Sequence, residues 1–224
     1  MMKENRKLII FGSGKFSEFI AYSFENDSEY ELCAFCVEKS YLSSEVNAEF
    51  DIPIVIFENI EEKFPPEHYH LFIAVGNDAV REKIHKQAKL KGYSLPNFIS
   101  SLAIIPNNLK TLGENIFISE SSVLQAFVSI ERNTYLLGAR VGHHCIIRKN
   151  SLLSGCIVGA EVEIGKNSFI GLNATIRPKI KIAKYNIIGM GANIKKDTNK
   201  FEVYTSSAGQ KRTLNYNDIA NSFL

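Results

Sequence analysis

A glycine-rich turn near the N-terminus is the first stretch of this sequence that could do chemistry. Gly12 and Gly14 follow the apolar run 7–11 and precede a helical pattern. Glycines let the backbone bend sharply into a helix N-terminus, whose free N–H groups can receive a phosphate or pyrophosphate. Ser17 stands where the dinucleotide fingerprint has its third glycine, so an ordinary tight turn is also compatible. The residues predicted to contact a ligand here are Gly12, Ser13, Gly14 and Lys15.

Two more polar positions follow strands of the same region. Glu38 ends the second predicted strand, where α/β domains of this kind keep an acid for a ribose or base. Gly76 and Asn77 end a later strand, and the carboxyl ends of parallel strands share one edge of a sheet. We predict that Glu38, Gly76 and Asn77 join the ligand site. A solvated Glu38 beside an ordinary turn is the alternative.

The histidines and cysteines are the other residues whose side chains could support catalysis or metal binding. His143 and His144 are adjacent, and on residue chemistry alone such a pair favours a structural role. His68, His70 and His85 lack partnered carboxylates nearby in sequence, so we predict structural roles for them. The four cysteines include a CxxC, Cys33 and Cys36, within a strand pattern that points them to opposite sides. We expect buried thiols, with no redox or metal site.

A period of six organises the second half of the chain. Neither a helix nor a half-buried strand has this period, whereas a hexapeptide β-helix does. Steps of five residues, at 136 to 141 and 153 to 158, predict local breaks in the coil. The fourteen positions in this register are all aliphatic: Ile118, Leu124, Ile130, Leu136, Val141, Ile147, Leu153, Val158, Ile164, Ile170, Ile176, Ile182, Ile188 and Ile194.

This solenoid predicts a homotrimer. Each coil would be a triangle of three short strands, with the aliphatic side chains stacked inside. An isolated prism leaves flat faces exposed, and a three-fold assembly covers one face of each subunit while forming equivalent clefts.

The first hundred residues alternate between strand and helix signals. Strands are predicted at 7–11, 32–37, 51–57 and 71–76, with helices at 16–26 and 78–91. This pattern indicates a small α/β domain with a parallel sheet. We place this domain at 1–96, a connecting segment at 97–117, and an all-β hexapeptide domain with a C-terminal tail at 118–224. The connecting segment is apolar, so we expect the domains to be docked.

The bulk properties exclude several classes of protein. A net charge of +2 over 224 residues provides no electrostatic footprint for nucleic acid. No apolar run approaches the roughly 20 residues that cross a bilayer, and the N-terminus lacks a signal sequence. We therefore predict a cytoplasmic protein without nucleic-acid or membrane partners.

The order of these parts resembles the NeuD/PglD-type sugar acyltransferases. The resemblance rests on the segments 9–14, 71–77, 97–100 and 164–175 and covers nearly the whole chain. It implies a Rossmann-like domain that holds a UDP- or dTDP-linked amino-sugar. It also implies a left-handed parallel β-helix that trimerises and binds acetyl-CoA, in the synthesis of bacterial surface glycans such as lipopolysaccharide or capsule.

The resemblance also assigns catalytic roles. His143 falls on the family's general base, which takes a proton from the acceptor as it attacks the thioester. The acidic residue that normally follows is replaced by His144, which then becomes the candidate partner of the base. A second family histidine, on the acetyl-CoA side, is replaced by Leu152.

An acetyl-CoA site is implied along the β-helix between two subunits. Lysines would supply positive charge near its nucleotide end, although a solvated basic face explains any one of them equally well. The predicted contacts are Ala160, Leu172, Met190, Gly191, Lys195, Lys196, Lys211 and Arg212.

Three functions therefore stay open at this stage. The first is an acetyl-CoA-dependent transferase acting on a nucleotide-linked sugar. The second is a transferase with another acyl donor or a non-nucleotide acceptor, since His144 and Leu152 depart from the family pattern. The third is a nonenzymatic trimeric scaffold.

Overall fold

The computed structural model describes residues 6–42 and 46–208. Lys211, Arg212 and the predicted tail lie outside the described residues. Within them, no helix is long and apolar enough to cross a membrane.

The N-terminal domain is a five-stranded sheet flanked by two helices. Its strand order is β3-β4-β2-β1-β5, and every neighbouring pair is parallel except β3 with β4. The predicted α/β domain is confirmed. Its elements in chain order are β1 (Arg6–Phe11), α1 (Lys15–Asn26), β2 (Tyr30–Val37), β3 (Val46–Asn47), β4 (Ile52–Ile56), β5 (Tyr69–Ile73) and α2 (Asp78–Leu90), with short 3-10 turns at Lys39–Tyr41 and Ile60–Glu62.

The ends of α2 follow local sequence rules. The Asn77 side chain accepts a hydrogen bond from the Val80 N–H at 3.0 Å, which caps the first turn. Gly92, with φ of 90°, follows the C-cap residue Lys91 and has the left-handed conformation that glycine tolerates. In α1, Ile20 and Phe24 are buried, whereas Tyr22 is exposed.

The second half is a left-handed parallel β-helix of three sheets, as predicted. We number its faces in the order in which each coil visits them. Face 1 comprises β6 (Phe98–Ile99), β8 (Phe117–Ile118), β11 (Tyr135–Leu137), β14 (Leu152–Ser154), β17 (Phe169–Ile170), β20 (Ile187–Ile188) and β22 (Val203–Tyr204). Face 2 comprises β9 (Val123–Leu124), β12 (Arg140–Val141), β15 (Ile157–Val158), β18 (Thr175–Ile176) and β21 (Asn193–Ile194). Face 3 comprises β7 (Thr111–Leu112), β10 (Ser129–Ile130), β13 (Ile146–Ile147), β16 (Glu163–Ile164) and β19 (Lys181–Ile182).

The period of six predicted the core without error. All fourteen aliphatic residues are buried in one cluster along the axis. The edge that follows each face is named after it, as the first, second and third edge. The two five-residue steps fall on the first edge, where Gly138 and Gly155 turn the chain with φ of 62° and 51°. A corner shortened by one residue therefore explains both breaks.

The segment 97–117, predicted as a connection, already contributes strands to the solenoid. β6 pairs with β8, β7 pairs with β10, and Ile104 bridges to Val123. The first coil therefore begins before Ile118, where the regular repeat starts.

A single buried arginine joins the two domains. The Arg81 guanidinium, on α2, donates to the Val75 and Gly76 carbonyls at 2.8 and 2.9 Å. It also donates to the Asn133 and Asn150 carbonyls on the third edge, at 3.0 and 2.8 Å. One cation thus holds the end of the sheet against two successive coils, and the expected docking of the domains is observed.

The third edge carries a ladder of asparagine side chains. The Asn115 amide donates to Asn133 at 3.1 Å, and the Asn133 amide donates to Asn150 at 2.9 Å. All three residues have φ between 54° and 60°, the left-handed region that asparagine tolerates better than most residues. Asn167 continues the column and donates to Asp78 at 2.6 Å.

Charged side chains surround this junction. The Glu82 carboxylate lies 2.9 Å from the Arg132 guanidinium and 3.2 Å from the Lys149 ammonium. Burial opposes ionisation of Glu82, but hydrogen bonds from Asn150 and Lys149 outweigh it and lower its pKa. His85 has a carboxylate partner from a distant part of the sequence: its Nε2 lies 2.9 Å from Glu114.

The prediction for the CxxC pair is wrong in part. Cys36 is buried and Cys33 is partly exposed, and both pack against the same core cluster, because the register of β2 against β1 shifts by one residue between Leu32 and Ala34. All four cysteines are free. Burial raises the pKa of the Cys36 thiol well above its usual value. No group of His, Cys, Asp and Glu suited to a metal ion occurs within 6–42 and 46–208.

We expect Arg81→Ala to lower the free energy of unfolding by about 3 kcal/mol or more, because it leaves buried carbonyls without donors. Urea denaturation measures this loss. Lys86→Ala, an exposed position on the same helix, is the control and should change stability by less than about 0.5 kcal/mol. Equal stability of the two variants would contradict the role given to Arg81.

Candidate active site

The glycine turn brings β1 onto α1. Gly12 has φ of 121°, and a Cβ there would lie 2.9 Å from the Ala74 carbonyl oxygen. Gly14 is the N-cap of α1, and a Cβ there would meet nothing within 4 Å. Ser17 stands at the position of the third glycine of the fingerprint. Its hydroxyl donates to the Gly14 carbonyl at 2.6 Å. Gly12 is therefore required by the fold, whereas Gly14 leaves open space at the helix N-terminus.

A cavity of about 280 Å³ lies beside this turn. Glu38 lies at this cavity, and its carboxylate lies 2.5 Å from the Lys83 ammonium. Tyr41 lies at the rim with 69 % of its surface exposed. The cavity thus combines apolar walls with one acid and an aromatic ring, a mixture suited to a nucleoside. Its lining residues are Phe11, Gly12, Ser13, Val37, Glu38, Tyr41, Val75 and Val80.

Lys15 does not line this cavity. Its ammonium lies 2.6 Å from Glu18, one turn along the exposed side of α1, and it borders a separate depression with Tyr22 and Glu49. The spacing of three residues on a helix favours this local ion pair. Lys15 therefore lies apart from the other residues predicted for the glycine-turn site.

Gly76 and Asn77 line a second cavity, of about 460 Å³, between the domains. Its opposite wall belongs to face 1 of the β-helix and includes Leu152, Phe169 and Ile187. The two cavities are neighbours, because Val75 lines the first and Gly76 lines the second. We call this second cavity the interdomain cleft.

His143 and His144 occupy a corner of the coil between β12 and β13, on the second edge. Their Nδ1 atoms are 3.0 Å apart. The His143 N–H donates to the Gln125 side chain at 2.9 Å, and the His144 ring lies 4.7 Å from that of Phe127. Both imidazoles are exposed.

This geometry defines what the pair can do. When His143 Nδ1 carries a proton and donates a hydrogen bond to His144 Nδ1, the His143 Nε2 keeps a free lone pair. That lone pair can accept a proton, and the resulting imidazolium keeps its hydrogen bond to His144. A neutral His144 can therefore orient the base, the role that an acid has in other base–orienter pairs.

The residues predicted for acetyl-CoA divide between two edges. Ala160 lies one coil beyond His143, since the Glu161 N–H donates to the His143 carbonyl at 2.9 Å. Lys195 and Lys196 follow β21 on the same second edge. Leu172, Met190 and Gly191 lie on the first edge, where the Gly191 N–H donates to the Leu172 carbonyl at 2.8 Å. These two edges border face 2.

Several residues at the interdomain cleft were not predicted from the sequence. Arg81, Asn150 and Phe169 all line it. One signal was available: asparagines recur at 115, 133, 150 and 167, about three hexapeptides apart, which marks a single edge of the solenoid. Nothing local in the sequence connects Arg81 to that edge.

Known proteins share both parts of this chain. Residues 7–88 match the family model described as the PglD N-terminal domain. The acetyltransferase domain of PglB from Neisseria gonorrhoeae FA1090 has 23% identity and a TM-score of 0.77, over 89% of this chain and 96% of that chain. PerB from Caulobacter crescentus, in complex with CoA and GDP-perosamine, has 20% identity and a TM-score of 0.76, over 89% and 91%.

A third structure, WeeI from Acinetobacter baumannii AYE, has 20% identity and a TM-score of 0.75, over 88% of this chain and 94% of that chain. The fold is therefore shared over nearly the whole length, and the resemblance predicted from the sequence is confirmed.

The two glycines predict opposite results when each is replaced by alanine. Gly12→Ala should destabilise the protein by about 1–2 kcal/mol or more, because it adds a Cβ in the left-handed region and against Ala74. Gly14→Ala should cost less than about 0.5 kcal/mol, since its φ of −91° suits any residue. Thermal unfolding of the two variants compares these effects, and similar losses in both would contradict the geometry of the turn.

Proposed function

We propose that this chain, which joins a PglD-type N-terminal domain to a left-handed β-helix, is an acetyl-CoA-dependent acetyltransferase of nucleotide-linked amino-sugars. The observation that carries the proposal is the pair of neighbouring cavities at the glycine turn and the interdomain cleft. A nucleotide bound in the first would project its sugar into the second. The PerB complex with CoA and GDP-perosamine supports this ligand pair on the same fold.

The nucleotide site would use the glycine turn and the residue that follows β2. The open N-terminus of α1 at Gly14 offers backbone N–H groups to the pyrophosphate. Glu38, held by Lys83, would accept hydrogen bonds from the ribose or base. Binding energy from this non-reacting part of the substrate would position the sugar for reaction. We predicted a UDP- or dTDP-sugar; because PerB binds GDP-perosamine, a GDP-sugar belongs among the candidate acceptors.

The chemical step would transfer an acetyl group to the sugar amine. The amine nitrogen attacks the thioester carbonyl carbon, a C–N bond forms and the C–S bond breaks. His143 Nε2 takes the proton that the amine loses and returns it to the departing thiolate, so that coenzyme A leaves as the thiol. An acceptor hydroxyl would react in the same way.

The positions of its parts support a site that is shared between subunits. The interdomain cleft opens on face 1 near the third edge, whereas His143 lies on the second edge of the same chain. A neighbouring chain would bring its own His143 to the cleft. The exposed apolar residues Phe169, Ile187 and Val203 on face 1 support such a contact, since a partner would cover them. We propose the homotrimer on this basis.

We expect His143→Ala to lower turnover at least about a hundredfold without loss of stability, in keeping with general-base catalysis. The measurement is release of free thiol from acetyl-CoA in the presence of UDP-, dTDP- and GDP-linked amino-sugars. His68→Ala, an exposed histidine of the N-terminal domain, is the matched control and should have normal turnover. Full activity of His143→Ala would assign the base elsewhere, and ligand binding by the unaltered protein without turnover would favour a scaffold.

Mixed oligomers test the shared site. His143→Ala chains and Gly14→Val chains should each be nearly inactive, because one lacks the base and the other obstructs the phosphates. Coexpressed with different tags and purified through both, they should recover measurable turnover, since an intact turn then faces an intact His143. Light scattering should give three times the 25.2 kDa of one chain. Mixed oligomers without activity would place both groups of each site in one chain.

A further inference from the structure

The hydrogen bond between the two histidines sets a condition on the His144 ring. His144 Nδ1 can accept from His143 Nδ1, 3.0 Å away, only when the proton of the neutral His144 ring is on Nε2. Which ring nitrogen of a histidine carries the proton is set by the hydrogen bond that the other nitrogen makes. Among residues 6–42 and 46–208, no group accepts a hydrogen bond from His144 Nε2 in this arrangement. The proposed base therefore needs an acceptor beside His144.

His144 belongs to a column of corner residues on the second edge. Backbone hydrogen bonds stack these corners: the His144 N–H donates to the Ala126 carbonyl at 3.1 Å, and the Glu161 N–H donates to the His143 carbonyl at 2.9 Å. The members share φ between 58° and 64°, so their side chains leave the backbone in the same direction. Successive members are separated by the interstrand spacing of about 4.8 Å. We call this set the corner column: Phe127, His144, Glu161 and Lys179.

The two neighbours of His144 in the corner column differ in chemistry. On the coil before, the Phe127 ring lies 4.7 Å from the His144 ring. On the coil after, Glu161 provides a carboxylate. The charge of Glu161 acts on this corner: burial raises the pKa of the Cys145 thiol, which follows His144 in the chain, to about 11, and the Glu161 carboxylate adds a smaller rise. An acid therefore lies one coil from His144, although it is distant in sequence.

The ion pair that Glu161 makes is weak. Lys179 Nζ lies 3.9 Å from the Glu161 carboxylate, and the side chains of Glu161 and Lys179 are 49 % and 74 % exposed. Ion pairs exposed to this degree contribute little to stability, because water screens the charges. His144 and Lys179 are each one coil from Glu161. Rotation of the Glu161 side chain can therefore exchange one partner for the other at small cost.

We propose that Glu161 is a positioning residue for the acetyl transfer, and that its carboxylate accepts a hydrogen bond from His144 Nε2–H. This inference rests on the proposed function. The hydrogen bond fixes the tautomer in which His144 Nδ1 accepts from His143, and it leaves the lone pair of His143 Nε2 for the proton of the amine. Glu161 stays ionised, and its charge stabilises the imidazolium that forms when His143 takes that proton. The acid that is missing after His143 in the sequence is thus supplied by the next coil.

Steady-state kinetics of the full chain provide the first test, with release of free thiol from acetyl-CoA as the assay. Glu161→Ala should lower kcat about tenfold or more, as loss of a hydrogen bond to a charged group does, and leave the KM of both substrates unchanged. Glu161→Gln should keep most of the turnover, because the amide oxygen still accepts from His144. In a His144→Ala background, Glu161→Ala should have no further effect. Losses that multiply in the double variant would overturn the inference.

The pH profile separates the charge of Glu161 from its hydrogen bond. A negative charge beside the pair favours the protonated base, so it raises the pKa of His143. Glu161→Gln removes this charge, and the acid limb of the profile should move to lower pH by about half a unit. The other titratable groups around His144 in the described coils are Lys179 and the buried Cys145. The preceding coil contributes Phe127 and Gln125, which do not titrate.

The ring nitrogens of His144 give a readout that does not depend on the substrate. In NMR spectra of protein with labelled histidine, the shifts of Nδ1 and Nε2 distinguish the two neutral tautomers, and the chain has only five histidines. The unaltered protein should show His144 with its proton on Nε2, whereas Glu161→Ala should show a mixture of tautomers. His144→Ala assigns the signals. The same tautomer with and without Glu161 would overturn the inference, whatever the loss of turnover.

Lys179→Ala is the control, since it removes the ion pair of Glu161 and leaves the carboxylate for His144. It should have normal turnover, and equal melting temperatures would show that all variants fold. A loss in Lys179→Ala equal to that in Glu161→Ala would assign Glu161 a structural role and overturn the inference. Normal kcat in Glu161→Ala, with His143→Ala inactive, would overturn the inference and leave the proposed function intact. A chain that acetylates none of the nucleotide-linked amino-sugars would overturn both.

Discussion

The burial of the Arg81 guanidinium is the constraint on which the relative position of the two domains depends. A charge removed from water is stable only when the protein replaces its hydration, and here four carbonyl oxygens and the face of Tyr135, 4.5 Å away, do so. Burial lowers the pKa of Arg81, but arginine keeps its proton at any physiological pH. Its planar group reaches Val75, Asn133 and Asn150 at once, which the point charge of a lysine cannot do.

The solenoid turns this attachment at the domain junction into a defined distance. Each coil adds one interstrand spacing, and the close-packed aliphatic core resists bending. Once Asn133 and Asn150 are held by Arg81, the positions of Leu152, Phe169 and Tyr185 relative to the glycine turn follow from the coil count. The regular repeat of the coils thus fixes the positions of the residues that form this wall of the interdomain cleft.

The sequence was sufficient for the main elements of both domains and for part of the candidate site, but it did not predict β3, β6 or β7. Aliphatic residues at every sixth position predict the axis of a β-helix because no other regular structure buries that spacing, and the structure buries all fourteen. Gly12, Ser13 and Glu38 could be predicted because sheet topology brings the carboxyl ends of β1 and β2 together. Lys15 could not be separated from them, since its ion pair with Glu18 depends on side-chain direction. Arg81 had no local signature, because its partners are distant in sequence.

The edges of the solenoid were the main unpredicted feature. A period of six identifies inward residues, but it does not say which corners of different coils belong to one ligand site. Ala160 and Leu172 were predicted together and lie on different edges, while His144 and Glu161 lie on successive coils of one edge and are far apart in the sequence. Corner residues repeat at 16 to 18 positions, a spacing too long for any pattern of adjacent residues to reveal.

The distance in sequence between Arg81 and its partners has a consequence for how the chain is made. Arg81 leaves the ribosome 52 residues before Asn133 and 69 residues before Asn150. During synthesis the Arg81 cation and apolar rings of the α/β domain such as Phe72 therefore lack, for a time, the β-helix residues that pack against them in the finished protein. N-terminal domains generally fold first during translation, but this one can complete its interior only when the second and third coils have emerged. The early coils of the solenoid thus complete the interior of the N-terminal domain, and they do so after that domain has left the ribosome.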